Sequence, residues 1–286
     1  MQVHNYLPAG PLRQLIRTYL ISSIDNIYLP IFGSEHKLLH YEEFLPNQRQ
    51  VIILDLDAHV YLKKAHTQEF SKKEFMTIPG VHLKKIEMCF AQNYKRNICI
   101  IFWPGGLHRL LGFSMEEISE KDFSGHDLLG SDTNLLVEHL NATSTPTAQV
   151  NILDQYFMQK LHKISISPPV DLLMQWVEQQ PAATVSVDHI LKNINKSVRQ
   201  LERIFLQRFG IPPKTYLKLM RFNQAKQLKD RRPNLSWTQI AYELGYFDQM
   251  HLIRDFKAFT DHAPSKAPFS KKLITDVQGK LFQHLD

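Results

Sequence analysis

Apolar residues follow two different rhythms along this chain. From residue 50 to 103 they come in short runs closed by turn residues. Gln50–Leu56 is a strand-like apolar run, and Lys73–Ile78 stops at Pro79-Gly80. His82–Phe90 partly alternates. Asn97–Trp103 is apolar at almost every position and ends at Pro104-Gly105-Gly106, the pattern of a strand covered on both faces. After Gly106 the spacing turns helical. Leu107, Leu110 and Leu111 predict a short helix, Leu128-Leu129 and Leu135-Leu136-Leu140 two more. Val150, Leu153, Phe157 and Leu161 form a longer helical stripe, read either as core or as a dimer surface over 150–162. Lys163-Ile-Ser-Ile-Ser-Pro-Pro169 then breaks the pattern as a linker.

Beyond the linker, the punctuation predicts two helix-turn-helix units. In the second, Ser236-Trp-Thr-Gln239 is a capping box opening a short helix through Ile240–Leu244. Gly245 supplies the positive φ that ends it, and Asp248 caps the next helix. That helix places Leu252, Phe256 and Phe259 on one face and Gln249, Met250, Ile253, Arg254 and Lys257 on the other. In the first unit Val187–Lys192 is a short helix, Asn193–Lys196 the turn and Ser197-Val-Arg-Gln200 again a capping box. The helix that follows hides Leu201, Ile204 and Phe205, exposes Arg199, Gln200, Glu202, Arg203 and Gln207, and ends at Gly210. Between the units, Thr215–Lys229 predicts a rod of about 22 Å. Such a rod suits two helices that enter successive major grooves about 34 Å apart. Lys214, Lys218, Arg221 and Lys226 on it are candidates for phosphates.

Charge sharpens this picture. Residues 170–286 hold 18 Lys and Arg against 11 Asp and Glu, whereas residues 1–169 hold 16 against 17. The whole positive excess therefore lies in the helical part, which points to a polyanion partner for that part alone. With two cysteines in 286 residues, a disulfide framework and a four-cysteine zinc site are both excluded. No apolar run reaches the ~20 residues of a membrane span, and Met1–Asn5 does not begin a signal peptide. A cytoplasmic protein with no membrane association is expected.

Residues 170–265 resemble the DNA-binding domain of AraC/XylS-family transcription regulators. The resemblance rests on Ser197–Phe205, on Phe209-Gly-Ile-Pro-Pro-Lys-Thr-Tyr216, on Arg221-Phe222 and Ala225, and above all on Gln239–Lys257. It departs from the family at Leu191 and Asn195, at Asp261 where glycine is usual, and at Ala267-Pro268. More loosely, the N-terminal part resembles the sensor domains that precede such domains. The expected fold is therefore α+β: a β-rich, cupin-like domain with appended helices at the N-terminus, and an all-α domain with two helix-turn-helix units at the C-terminus. The boundaries expected are 1–162 for the sensor or dimerisation domain, 163–169 for the linker, 170–269 for the DNA-binding domain and 270–286 for a tail.

The resemblance implies a sequence-specific, non-enzymatic regulator that reads two adjacent major grooves, with a transcriptional activator in view. Its DNA-binding candidates are Arg199, Gln200, Glu202, Arg203, Lys214, Lys218, Gln249, Met250, His251, Ile253, Arg254 and Lys257. Arginine reads guanine with two hydrogen bonds and glutamine reads adenine. Met250 and Ile253 either pack or touch a thymine methyl; Glu202 either faces a base or pairs with Arg199 or Arg203. Double-stranded DNA is the expected partner, with RNA polymerase, a small-molecule effector and a second copy of the chain as further candidates. No cofactor or metal is expected, because the histidines show no metal-ligand spacing. Cys89 and Cys99 flank a hairpin-like turn and read as small buried residues or, alternatively, as a redox pair. The rival function is a cupin-like enzyme fused to a DNA-binding module.

Overall fold

An apolar run such as 97–103 needs partners on both edges and cover on both faces. The computed structural model, which describes residues 2–23, 39–56, 60–63, 70–91, 96–161 and 168–265, provides both. Strands β1 (Gln2–Tyr6), β2 (Ile16–Ser23), β4 (Val51–Asp55), β7 (Met76–Pro79), β9 (Arg96–Phe102) and β10 (Asp122–Ser124) form one antiparallel sheet in the order β1-β2-β9-β4-β7-β10. Strands β3 (Leu39–Phe44), β5 (Val60–Lys63), β6 (Phe70–Lys72) and β8 (Ile86–Ala91) form a second, in the order β3-β8-β5-β6. β9 is central to the first sheet: Ile98 and Ile100 lie opposite Leu54 and Ile52 of β4, and β2 flanks the other edge. Ile98, Ile100 and Phe102 enter the main N-terminal core, while Cys99 and Ile101 pack with Leu20 in a smaller cluster. Burial of alternate residues in two clusters explains why the run does not alternate in polarity.

One expectation is corrected here and one open reading is decided. β8 and β9 belong to different sheets, so the strands that carry residues 89 and 99 do not pair with each other. The side chain of Cys89 lies outside the described residues. Cys99 is buried, and that burial pushes its thiol up to about 12. The open reading is that of the stripe over 150–162, as core or as a dimer surface. Helices α1 (Gly106–Leu111), α2 (Gly125–Leu129), α3 (Asp132–Asn141) and α4 (Pro146–Lys160) follow the sheet. Val150, Leu153, Tyr156 and Phe157 of α4 are all buried in the N-terminal core, and the Phe157 ring stands edge-on to Phe102 at 6.4 Å. That face covers its own domain and is not free to pair subunits. The linker residues 163–167 and the tail 270–286 fall outside the described residues.

The C-terminal part is all helical: α5 (Pro169–Glu178), α6 (Val187–Ile194), α7 (Val198–Phe209), α8 (Pro213–Arg231), α9 (Trp237–Glu243) and α10 (Gln249–Thr260) share one core. The architecture is thus α+β, with antiparallel sheets first and helices after. Val81 from the N-terminal part joins this core, and Leu45 and Leu83 pack on it.

Beside that apolar contact runs a buried polar seam. The Gln48 side chain donates to Glu178 Oε1 at 3.4 Å and accepts from Asn223 at 3.2 Å. Gln50 donates to the Arg208 carbonyl at 2.6 Å and accepts from the Leu107 N–H at 3.3 Å. Asp171, with no solvent exposure, lies 2.9 and 3.1 Å from Arg208 Nη1 by its two oxygens. Gly105 is required beside it. Its φ is +77°, and a Cβ there would fall 2.5 Å from the Asp171 carboxylate.

Candidate nucleic-acid interface

Local chemistry builds both helix-turn-helix units. Ser186 caps α6, which stops at Asn195 with φ +49°, a left-handed position that asparagine tolerates. Ser197 and Gln200 form a reciprocal capping box at the start of α7, with bonds of 3.2 and 2.9 Å. Ser236 and Gln239 repeat it at α9, with bonds of 3.2 and 2.8 Å. Gly245 has φ +68°, and a Cβ would meet Ala183 at 2.8 Å, so the second turn packs tightly on the segment before α6. Asp248 caps α10 by accepting from the His251 N–H at 2.6 Å.

α8 fastens the two second helices to each other. It has 19 residues, about 28 Å at 1.5 Å per residue, two residues longer at each end than the apolar spacing predicts. Tyr216 packs against Phe205 and Phe209 of α7 at 5.7 and 5.3 Å. Phe222 packs against Phe256 and Phe259 of α10 at 4.7 and 5.1 Å. Such aromatic contacts contribute about 0.5–1.5 kcal/mol each beyond their buried area. Polar contacts add to the second joint. Lys218 Nζ is 3.2 Å from the buried Asp255 carboxylate, and Arg221 lies 5.4 Å above the Tyr246 ring.

The candidate residues occupy three different settings. Arg199, Glu202 and Arg203 are exposed on α7, and no salt bridge joins them among the described residues. Met250, Arg254 and Lys257 are exposed on α10, and Ile253 is half-buried there. Lys214 is exposed at the first turn of α8. Gln200 and Gln249 are exposed, but each has its side-chain carbonyl engaged. Gln200 accepts from Ser197, and Gln249 accepts from Thr238 at 2.9 Å. Lys218 is held by Asp255, and half-buried His251 stands edge-on to Tyr246 at 5.3 Å. Both of these, with Lys214 and Arg221, line a cleft of about 430 Å³ between α8, α10 and residues 182–187.

Sequence reasoning missed Thr238, which orients Gln249, and Phe247, which is 93% exposed directly before the cap of α10. The signal for Phe247 is its register: it lies off the Leu252, Phe256, Phe259 stripe. Among the described residues no group of side chains could hold a metal ion, and no helix is long and apolar enough to cross a membrane.

Comparison with known proteins agrees with this geometry. Residues 190–267 match the family model described as a helix-turn-helix domain, and this part of the chain is a helix-turn-helix domain. Over 125 residues the chain is 30% identical to the HTH-type transcriptional activator RhaS of Escherichia coli (strain SE11), covering 41% of this chain and 45% of RhaS. The chain thus spans less than half the length of that relative. Among solved structures, the unsaturated fatty acid bound ToxT from Vibrio cholerae strain SCE256 covers 89% of this chain and 96% of its own, at 11% identity and a TM-score of 0.45. The AraC-like transcriptional activator CuxR covers 78% and 86%, at 12% identity and a TM-score of 0.30.

Proposed function

We propose that this chain is a cytoplasmic, sequence-specific DNA-binding transcription regulator, an activator by class, rather than an enzyme. One observation carries the reading: two helix-turn-helix units are fastened to one rod, and the second helix of each leaves a polar face uncovered. α7 offers Arg199, Glu202 and Arg203; α10 offers Gln249, Met250, Ile253 and Arg254. Arginine suits guanine in the major groove by two hydrogen bonds; in Arg254 the Nε already donates to the Met250 carbonyl at 3.3 Å, which leaves its two Nη groups for a base. Exposed Lys214 and Lys257 suit phosphates, which fix register without reading sequence. Lys218 and His251 act from the cleft behind α10, and Gln200 acts by closing the cap at the start of α7.

The N-terminal domain, residues 1–162 in this reading, supplies control. It touches the rear of both reading helices, through Gln50 at Arg208 of α7 and through Lys84, 2.9 Å from Asp261 at the end of α10. A small-molecule effector that shifts this contact would act by population rather than by catalysis. RNA polymerase and a second copy of the chain are the other partners that this reading expects, the latter through a face other than α4.

Selection of duplexes from a random library by the full chain tests the reading. The expected product is an asymmetric site with two half-sites about 10 base pairs apart. Arg203→Ala and Arg254→Ala should each relax one half-site at a cost of about 1–3 kcal/mol. Recovery of no enriched sequence overturns the proposal. Stoichiometric iron, manganese or zinc in the purified protein, together with turnover of a substrate, would favour the enzyme alternative.

A further inference from the structure

Phe247 has 93% of its surface exposed, more than any other large apolar residue described. It takes no part in the α10 stripe of Leu252, Phe256 and Phe259, all of which are buried. It sits immediately before Asp248, the cap, and so at the forward end of α10. The next exposed apolar side chain, Met250, is 59% exposed in the first turn of the same helix. Between them, exposed Gln249 has its carbonyl held by Thr238, and its amide N–H groups have no partner among the described residues.

In a helix-turn-helix complex this forward end is the part that meets base edges. The partner is a polyanion, given the seven excess positive charges of residues 170–286. A phenyl ring gains nothing from a phosphate. The apolar group that a major groove presents is the thymine C5-methyl, and thymine O4 beside it is an acceptor. An apolar pair flanking an N–H donor is complementary to that edge.

We infer that Phe247, with Met250 and the Gln249 amide, makes the tip of α10 select thymine, and that Phe247 determines specificity by contacting its methyl group. This rests on the reading of the chain as a DNA-binding regulator. Residue 247 adds a base preference that the arginines do not supply.

The experiment uses the full chain and the duplex enriched from the random library. Each thymine of the half-site read by α10 is replaced in turn by deoxyuridine, which lacks only the methyl. One such replacement should weaken wild-type binding about fourfold, the value of one buried methyl. Phe247→Ala should bind the thymine duplex about as weakly as wild type binds the deoxyuridine one, and should no longer distinguish the two. Phe247→Leu should keep part of the preference. Because Phe247 is exposed, the variants should melt at the wild-type temperature, which circular dichroism checks.

Equal thymine-to-deoxyuridine ratios for wild type and Phe247→Ala overturn the inference while leaving the regulator intact. So does a variant that binds DNA normally but loses transcription, which would assign Phe247 to a protein partner. If the library yields no enriched duplex, the regulator reading falls and takes this inference with it.

Discussion

Asp171 has no exposed surface and lies against Gly105 where the N-terminal and C-terminal parts meet. Burial is the largest influence on its carboxyl and pushes it from the ordinary 3.8 up to about 6, against the opposing pull of Arg208 and Arg109. The folded protein therefore holds this proton more tightly than the unfolded chain does. Protonation favours folding: the contribution is complete below about pH 4 and is lost as pH rises through about 6. Two units amount to roughly 3 kcal/mol at most. Asp171→Asn removes the titration and keeps an acceptor for Arg208. Urea denaturation at pH 4, 5, 6 and 7 should show wild type losing stability relative to the variant up to pH 6, then running parallel to it. A constant difference across that range would exclude Asp171 as the titrating group. Nothing in the residues around 171 announces this behaviour, because Gly105, Arg109 and Arg208 are remote in the chain.

Contacts within a few residues were legible in the sequence, and those between helices were not. Both capping boxes and the buried stripe of α10 appear in the structure because Ser197, Gln200, Ser236 and Gln239 act three residues apart and Leu252, Phe256 and Phe259 follow the helical repeat. β9 was legible from its unbroken apolar run, but the assignment of β8 and β9 to separate sheets depends on partners distant in sequence. Lys218 shows the same limit: read alone it is a phosphate contact, yet its ammonium neutralises Asp255 of α10 and lies 5.4 Å over the Phe259 ring. Lys218→Ala would leave Asp255 buried without its charge partner. The expected loss of stability is about 1–3 kcal/mol by thermal unfolding, and the Lys218→Ala, Asp255→Asn pair should recover part of it. The salt dependence of DNA binding should stay unchanged in Lys218→Ala and become shallower by about 0.9 in Lys214→Ala. A shallower slope in the Lys218 variant as well would return that residue to the DNA surface.

At the scale of the whole molecule, the seam between the two parts determines how the reading helices are held. The last carbonyls of any helix lack partners inside it. In α7 one of them, at Arg208, accepts from the Gln50 side chain, so the N-terminal part completes the end of the first reading helix. The corresponding contact on α10, Lys84 with Asp261, joins two exposed side chains and is weak for that reason. The N-terminal part should therefore control the first unit more strongly than the second. The seam of Gln48, Gln50 and Asn223 lies beside the apolar contact of Val81, Leu45 and Leu83, and each buried bond lost from it leaves an unpaired group behind. Gln50→Ala should speed hydrogen exchange of the last turn of α7, residues 206–210, by a factor of about 5–150, equivalent to roughly 1–3 kcal/mol. Exchange in α10 should be unaltered, because its end does not touch Gln50. Equal acceleration in both helices would mean that the substitution loosens the whole C-terminal core. No acceleration would mean that α7 holds its own end. Only the selective outcome makes the Gln50 side chain the link by which the N-terminal part acts on the first reading helix.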